Sequence, residues 1–290
     1  MTPPTHPFDM TSLQGAMRAV LPSLRASDAS VIRLVLDQPE FVQNASTAEV
    51  SERAGVSNAT VVRAARAAGF TGFSDLKFAV ARASGGAGMF VPPPRLTDVT
   101  TPKELVDSIL SSHVNVIGAV RGTLNEEVVQ QVVGKLDQAE RILISGSGTS
   151  SAVAADAAVR FTSIGLMVQA PVDHLSTLVV ARLLRPSDIL LAVSHTGITP
   201  QTVAVAEAAR HVGATVVAIT SFTSSPLVDI ADHVLVAGGS ELDFQLAQSS
   251  SRLAHLTVVD ILHAGVALAD MDRTRRAEAI GFDTPVRDRR

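Results

Sequence analysis

The chain of 290 residues contains no cysteine, which excludes a disulfide framework, a thiolate metal site and any covalent thiol mechanism. It has no tryptophan and no tyrosine, and aromatic residues make up only 3% of it. Stacking platforms for single strands or RNA are therefore not expected. An excess of positive charge is missing too. With 24 basic and 28 acidic residues the formal charge is -4, unlike a chain that coats nucleic acid without specificity. Any nucleic-acid contact must be local, and duplex DNA is the form left open. The start, Met1 to Met10, is Pro- and Thr-rich and lacks the basic opening and apolar core of a signal peptide. No apolar run is expected to be long enough to cross a bilayer. These absences lead us to expect a cytoplasmic protein with no membrane partner.

What is present is ample material for buried cores, since 46% of the residues are hydrophobic, and a chain of this length favours two domains over one. Composition separates three zones. Residues 10–84 are Ala- and Arg-rich with helical periodicity and are expected to form an all-α domain. Residues 85–102 hold Gly85-Gly86 and Pro92-Pro93-Pro94, whose extended polyproline preference suits a semi-rigid linker. Residues 103–290, with a core at about 130–270, alternate apolar strands with helices. Four runs read as buried parallel strands: Arg141 to Ser145, Asp188 to Val193, Thr215 to Thr220 and His233 to Val236, with Leu166 to Gln169 a weaker fifth. The helices predicted around them include Lys103 to Val120, Asn125 to Leu136, Ser151 to Ser163, Pro200 to Val212 and a covering helix from about Gln245 to Asp270. Strand, helix, strand in repetition implies an α/β doubly wound parallel sheet.

In the first zone Val31, Ile32, Val35 and Leu36 fit one face of a helix that stops before Pro39. The run Ser46-Thr47-Ala48-Glu49 then provides a helix start in which the Ser or Thr caps and Glu49 reaches back. That helix ends at Gly55, which tolerates the left-handed backbone of a tight turn, with Val56 plugging the angle between two helices. A second helix, Asn58 to Ala68, follows, with Ser57 as N-cap candidate and Gly69 as terminator. This is the spacing of a helix-turn-helix, in which the first residues of the second helix meet base edges in the major groove. Ser57, Asn58 and Thr60 stand there, with Arg63 a turn further on and Arg66 nearer the phosphates. Asn pairs with adenine and Arg with guanine, so a double-stranded DNA operator is the expected partner.

Two loops of the third zone carry the other chemistry. Ser145-Gly146-Ser147-Gly148-Thr149-Ser150-Ser151 follows a strand and opens a helix, so backbone N–H groups and hydroxyls can face an anion at a helix N-terminus. It lacks the third glycine of a dinucleotide loop, since Ser151 stands there, and no acidic residue closes the next strand to hold a ribose. That argues against a nicotinamide, and no other cofactor or metal is expected. Ser194-His195-Thr196-Gly197-Ile198-Thr199 is the second strand-to-helix loop, and Pro200 suits the first helical turn. Both lie at the carboxyl ends of strands, where doubly wound sheets bind ligands. Hydroxyl clusters without Lys or Arg fit a phosphate monoester held by neutral donors and helix dipoles.

The segment Val50 to Lys77, with Ala54-Gly55-Val56-Ser57, Ala59-Thr60-Val61-Val62-Arg63, Gly69-Phe70 and Gly72-Phe73, closely resembles the N-terminal domain of the RpiR family of bacterial regulators. Ala64 and Ala65 depart from it, because the family usually has an aromatic residue after the helix Arg. Residues from about Glu140 to Ala269 resemble the sugar isomerase (SIS) domain that follows such readers. The resemblance implies phosphate ligands at Ser147, Gly148, Thr149 and Ser150 in the first loop, and at Ser194, His195, Thr196 and Thr199 in the second. Thr196 keeps the hydroxyl of the family's usual Ser but adds a methyl, and Ile198 replaces a more often polar residue.

The expected function is a DNA-binding transcription regulator whose SIS domain senses a small-molecule phosphosugar. Repression of sugar-metabolism genes, relieved by the sugar, is the arrangement implied by the resemblance. Association as a homodimer or homotetramer would place two readers on a palindromic operator. The competing class is a sugar-phosphate aldose-ketose isomerase, which needs a base and a ring-opening group. Its candidates are Glu207, Glu241, Asp243, His174, His195 and His255. Glu207 reads as a solvated helix residue, His255 as a partly buried packing residue, and Asp173 and His174 as helix-capping or pocket-lining. A regulator needs only to bind its sugar, so no catalytic residue is assigned.

Overall fold

The computed structural model describes residues 10–85, 100–237 and 247–282. They form two compact units. The first takes in the helices up to Leu124, and the second residues 125–220, 225–235 and 255–282; the short stretches 221–224, 236–237 and 247–254 group with the first. Most of the linker expected at 85–102 lies outside the described residues.

The first unit is helical: α1 (Met10–Val20), a single 3-10 turn (Leu21–Ser23), α2 (Ala26–Asp37), α3 (Pro39–Val42), α4 (Thr47–Ala54), α5 (Asn58–Ala67), α6 (Phe73–Gly85) and α7 (Pro102–Thr123). α2 stops where expected, because the residue before a proline is pushed out of helical geometry; Gln38 sits at φ -135° and Pro39 opens α3. The core gathers Leu13 and Met17 of α1, Val31, Ile32 and Val35 of α2, Val50 of α4, Val61 and Ala64 of α5, and Leu76 and Val80 of α6. α7 was read from the sequence with the third zone, yet it lies along α1 and groups with the first unit. Gly122 makes that approach possible, since a Cβ there would run into the Ser12 carbonyl.

Beyond α7 the chain continues as α8 (Glu126–Gln138), β1 (Ile142–Gly146), α9 (Ser150–Ser163), β2 (Val168–Gln169), α10 (His174–Arg182), β3 (Ile189–Val193), α11 (Pro200–His211), β4 (Thr215–Thr220), α12 (Pro226–Ile230), β5 (His233–Val236), α13 (Ala247–Ala269) and α14 (Met271–Phe282), all in the second unit apart from Val236 and the first eight residues of α13. The five strands stand in the order β2-β1-β3-β4-β5. β1 pairs in parallel with both β2 and β3, and β3 with β4; Leu143 faces Leu190, which faces Val216. The fully buried run Ile189–Val193 explains why these strands are continuously apolar rather than alternating. Against one face pack α10, α11 and α12 through Ala181, Val205, Ala206, Ala209 and Leu227. α9 contacts β1 and β3 and buries Val153, Ala157 and Phe161. At the amino ends of β1 and β3, Arg141 donates to the buried Asp188 carboxylate at 2.6 Å, fixing the edge of the sheet opposite the candidate loops.

α14 was not foreseen from the sequence. Arg273 explains its seat: it pairs with Asp137 of α8 at 2.8 Å and donates to the Ile164 and Val266 carbonyls. The expectation that no run could cross a bilayer needs amending as well. Ser251–Ala269 of α13 has the length and a mean hydropathy, 1.3, of a membrane-crossing helix. It nevertheless carries Arg252, His255, Asp260 and His263, ties Asp260 to Arg160 of α9 at 2.7 Å, and buries Val258, Val259, Leu262 and Val266. Those contacts are what a core helix of the α/β unit makes.

Candidate functional site

The turn between α4 and α5 is built as the sequence suggested. Ser46 and Glu49 form a reciprocal capping box that starts α4, and Gly55 closes it at φ 67° in left-handed geometry. Ser57 then caps α5 by accepting from the Thr60 N–H. α5 turns Thr60, Val61, Ala64 and Ala65 into the core and leaves Ser57, Asn58, Ala59, Arg63, Arg66 and Ala67 exposed.

The five expected base or phosphate contacts have different fates in this geometry. Asn58 stands exposed at the first position of α5. Ser57 is exposed but its hydroxyl is occupied by the cap, and Thr60, 7% exposed, shares a 3.0 Å hydroxyl contact with it. Arg63 is turned back onto the fold: its Nε and one terminal nitrogen donate to both oxygens of Asp28, the shortest contact being 2.6 Å. The Asp28 side chain is 5% exposed, and its hydrogen bonds hold the Arg63 guanidinium above its usual pKa. Arg66 donates from Nε to the Thr71 carbonyl at 3.2 Å. Sequence reasoning had no signal for the Asp28 pairing, because the partners lie 35 positions apart.

In the second unit the chain order reverses direction beside β1, with β2 on one side and β3 on the other. Open sheets of this order bind ligands outside the carboxyl ends of β1 and β3, and both candidate loops stand there. After β1, Ser147–Ser150 makes a tight turn in which the Ser147 carbonyl accepts from the Ser150 N–H, and the Gly148 carbonyl accepts from the N–H and hydroxyl of Ser151. After β3, the buried Ser194 hydroxyl accepts from the Gly197 N–H at 3.1 Å and lies 3.4 Å from the Thr199 hydroxyl. Thr196 and His195 are half-buried, and the Thr220 hydroxyl fixes the His195 carbonyl at 3.2 Å. The two loops meet through Thr202, whose hydroxyl lies 3.4 Å from that of Ser147.

Thr202 and Thr220 were not singled out from the sequence; the only cue for Thr202 is its place in the first turn after Pro200. Gly197, at φ 68°, is pressed against Ser225, leaving no room for a side chain.

One feature sets the helices behind these loops apart. α8, α10 and α12 begin with side-chain caps from Asn125, Asp173 and Ser225. α9 and α11 begin at Thr149 and Thr199 with no side-chain cap bond and no acidic residue in the first turn. A helix N-terminus that is neither capped nor countered by a carboxylate presents its partial positive charge outward. Two of them side by side, ringed by hydroxyls, suit a small anion.

The acid-base candidates fall on different elements. Glu207 is exposed on α11 and His174 is exposed at the start of α10. Asp173 is the cap of α10, and its bonds to Ser176 lower its pKa. His255 is 1% exposed on α13 with its ring 6.4 Å from that of His195. Glu241 and Asp243 lie outside the described residues.

Comparison with known proteins agrees with this geometry. Residues 135–264 match the SIS domain, and residues 13–85 match the helix-turn-helix domain of the rpiR family. An uncharacterized HTH-type transcriptional regulator of Caldanaerobacter subterraneus subsp. tengcongensis is 28% identical over 89% of this chain and 91% of its own length. The bifunctional protein glk of Burkholderia thailandensis is 32% identical over 87% of this chain, which spans only 39% of that longer protein. Among solved structures, the Vibrio vulnificus NanR protein complexed with ManNAc-6P shares the fold, with a TM-score of 0.58 at 23% identity over 93% of this chain and 96% of that one.

Proposed function

Because the chain belongs to the RpiR family of transcription regulators, with a helix-turn-helix domain joined to a SIS domain, we propose that its α/β unit binds a phosphorylated sugar and that the sugar governs operator binding. The observation that carries this reading is the pair of uncapped helix N-termini, α9 and α11, beside hydroxyl loops at the β1/β3 switch point. Ser147, Gly148, Thr149 and Ser150 would hold the phosphate from one side, and Ser194, His195, Thr196 and Thr199 from the other. The NanR likeness adds a compound to try, ManNAc-6P, and no more than that.

The protein acts in the cytoplasm as a homodimer or homotetramer on a palindromic duplex, represses genes of sugar metabolism, and is released by the sugar. α7 offers an apolar face for association, with Val106, Leu110, Val114 and Ile117 all exposed. The coupling required between sugar and operator is modest, on the order of 1 to 3 kcal/mol. The domain division proposed is a reader at 10–84, a linker at 85–102 and a sensor at 103–290.

The test is a thermal-unfolding screen of the full chain against sugar phosphates and their unphosphorylated parents. The expected result is stabilisation by a phosphorylated member alone, approaching about 2.7 kcal/mol at a hundredfold excess over its dissociation constant. No response to any phosphosugar would sink the sensor reading and leave the DNA reader standing. The His195–His255 ring pair gives a reason to assay the stabilising compound for aldose-ketose interconversion as well; turnover would replace the regulator-only reading with an enzyme.

A further inference from the structure

We propose that α5 reads A·T base pairs, through the Asn58 amide and the methyl groups of Ala59 and Val62, and that neither of its arginines reads guanine. This rests on the DNA-binding reading above and specifies the operator that reading requires.

The argument starts from where the arginines are spent. Recognition of guanine needs two parallel N–H donors aimed at O6 and N7. Arg63 uses the Nε and Nη2 edge of its guanidinium on Asp28, at 3.1, 3.2 and 2.6 Å, and the same Nη2 lies 3.3 Å from Thr60 and 3.4 Å from Ser27. Swinging out to a base would leave a carboxylate that is 5% exposed without its counter-charge, and an uncompensated buried charge is heavily penalised. Arg63 is therefore a positioning residue that locks α5 onto α2. Arg66 is anchored by Nε to the Thr71 carbonyl, so only its terminal nitrogens, two turns from the start of the helix, would be left for a backbone phosphate.

What remains outward on α5 is small and neutral. Positions 58, 62 and 66 recur every four residues, and position 59 lies beside them, so Asn58, Val62, Arg66 and Ala59 share one narrow face. Ala59 is exposed and Val62 half-buried. Among the described residues the Asn58 side chain makes no hydrogen bond within the protein. A carboxamide can bond both N6 and N7 of adenine, and small apolar groups fit the thymine C5-methyl.

The test uses the full chain. A duplex is selected from a random library, and each base of the enriched site is then altered without touching the protein. Replacing thymine by deoxyuridine removes only the methyl and should weaken binding a few-fold at the contacted positions. Replacing adenine by 7-deazaadenine there removes the N7 acceptor, one of the two bonds of the pair, and should weaken binding at least about twofold, half of the lower-end free energy of a bidentate contact. Asn58→Ala should erase the adenine preference while leaving the unfolding midpoint unchanged. An enriched site with invariant G·C pairs, at which 7-deazaguanine weakens binding, would overturn the inference and return Arg63 or Arg66 to base reading. If no sequence is enriched, the DNA-reader reading itself fails, and this inference with it.

Discussion

The reader and the sensor begin their working helices in opposite ways. In the helical unit, α4 and α5 both start with closed caps, a capping box at Ser46–Glu49 and a hydroxyl cap at Ser57. In the α/β unit, α9 and α11 start open, although their neighbours α8, α10 and α12 are capped. A cap is worth about 1 kcal/mol, so leaving two of them vacant sacrifices stability at one end of the sheet. The proposed DNA-reading side chains project from a helix whose start is capped by Ser57. In the proposed phosphosugar site the anion would meet the open starts of α9 and α11, where no side-chain cap competes with it.

Two glycines with almost the same backbone angle sharpen this contrast most. Gly55 in the reader lies at φ 67° with open space around it, whereas Gly197 in the sensor lies at φ 68° against Ser225. Gly55→Ala should cost only the left-handed strain, about 1 to 2 kcal/mol. Gly197→Ala adds overpacking to the same strain, for a total of about 2 to 5 kcal/mol, and should remove phosphosugar binding, because the clash with Ser225 would push the loop, and with it the residue 197 N–H, away from the Ser194 hydroxyl. Urea unfolding of the two variants measures the difference. Equal losses would mean that the second loop relaxes around Ser225 freely and is not a built site.

The next test closes an open helix. Thr199→Asp supplies a side-chain cap to α11 and should stabilise the ligand-free α/β unit by about 1 kcal/mol. The same carboxylate would face the phosphate, and like charges in close apposition cost several kcal/mol, so phosphosugar affinity should fall by at least about a hundredfold. Asn125→Ala, at the capped start of α8, should do the reverse, costing about 1 kcal/mol of stability with sugar affinity unchanged. Calorimetric titration together with denaturant unfolding separates the two effects. If Thr199→Asp binds phosphosugar normally, the anion does not sit at α11.

Much of this contrast could be read from the sequence, but unevenly. Strand positions were legible because a buried parallel strand is a continuous apolar run, and Thr215–Thr220 and His233–Val236 fall where the pattern put them. The loops were legible for a related reason: backbone donors at a strand-to-helix junction are fixed by local glycine and hydroxyl placement. The pairing of Arg63 with Asp28 was not legible, because packing of α2 on α5 brings the two together and no local pattern encodes that. Thr202 escaped notice likewise, since its contact with Ser147 spans 55 positions. The missing caps of α9 and α11 were invisible as well; Thr149 and Thr199 are good capping residues by type, and only their geometry reveals that they do not cap.

The smallest expected effect lies at the best-closed helix start of the reader. Glu49 accepts from the Ser46 N–H and hydroxyl, both at 2.7 Å, and the backbone bond first, then the hydroxyl, hold its pKa below the ordinary 4.5. A carboxylate depressed on folding contributes stability that is present above its unfolded pKa and disappears as pH falls through the folded value. Glu49→Gln keeps an acceptor for the cap but removes the charge. Wild type should therefore unfold at a slightly higher temperature than the variant near neutral pH, and the gap should close as the solution is taken below the depressed pKa. α9 and α11, which have no first-turn carboxylate, give the sensor no such acid response at its open ends. A gap that persists unchanged into strong acid would mean that the Glu49 charge is not what closes the start of α4, and the reader's caps would then rest on hydrogen bonding alone.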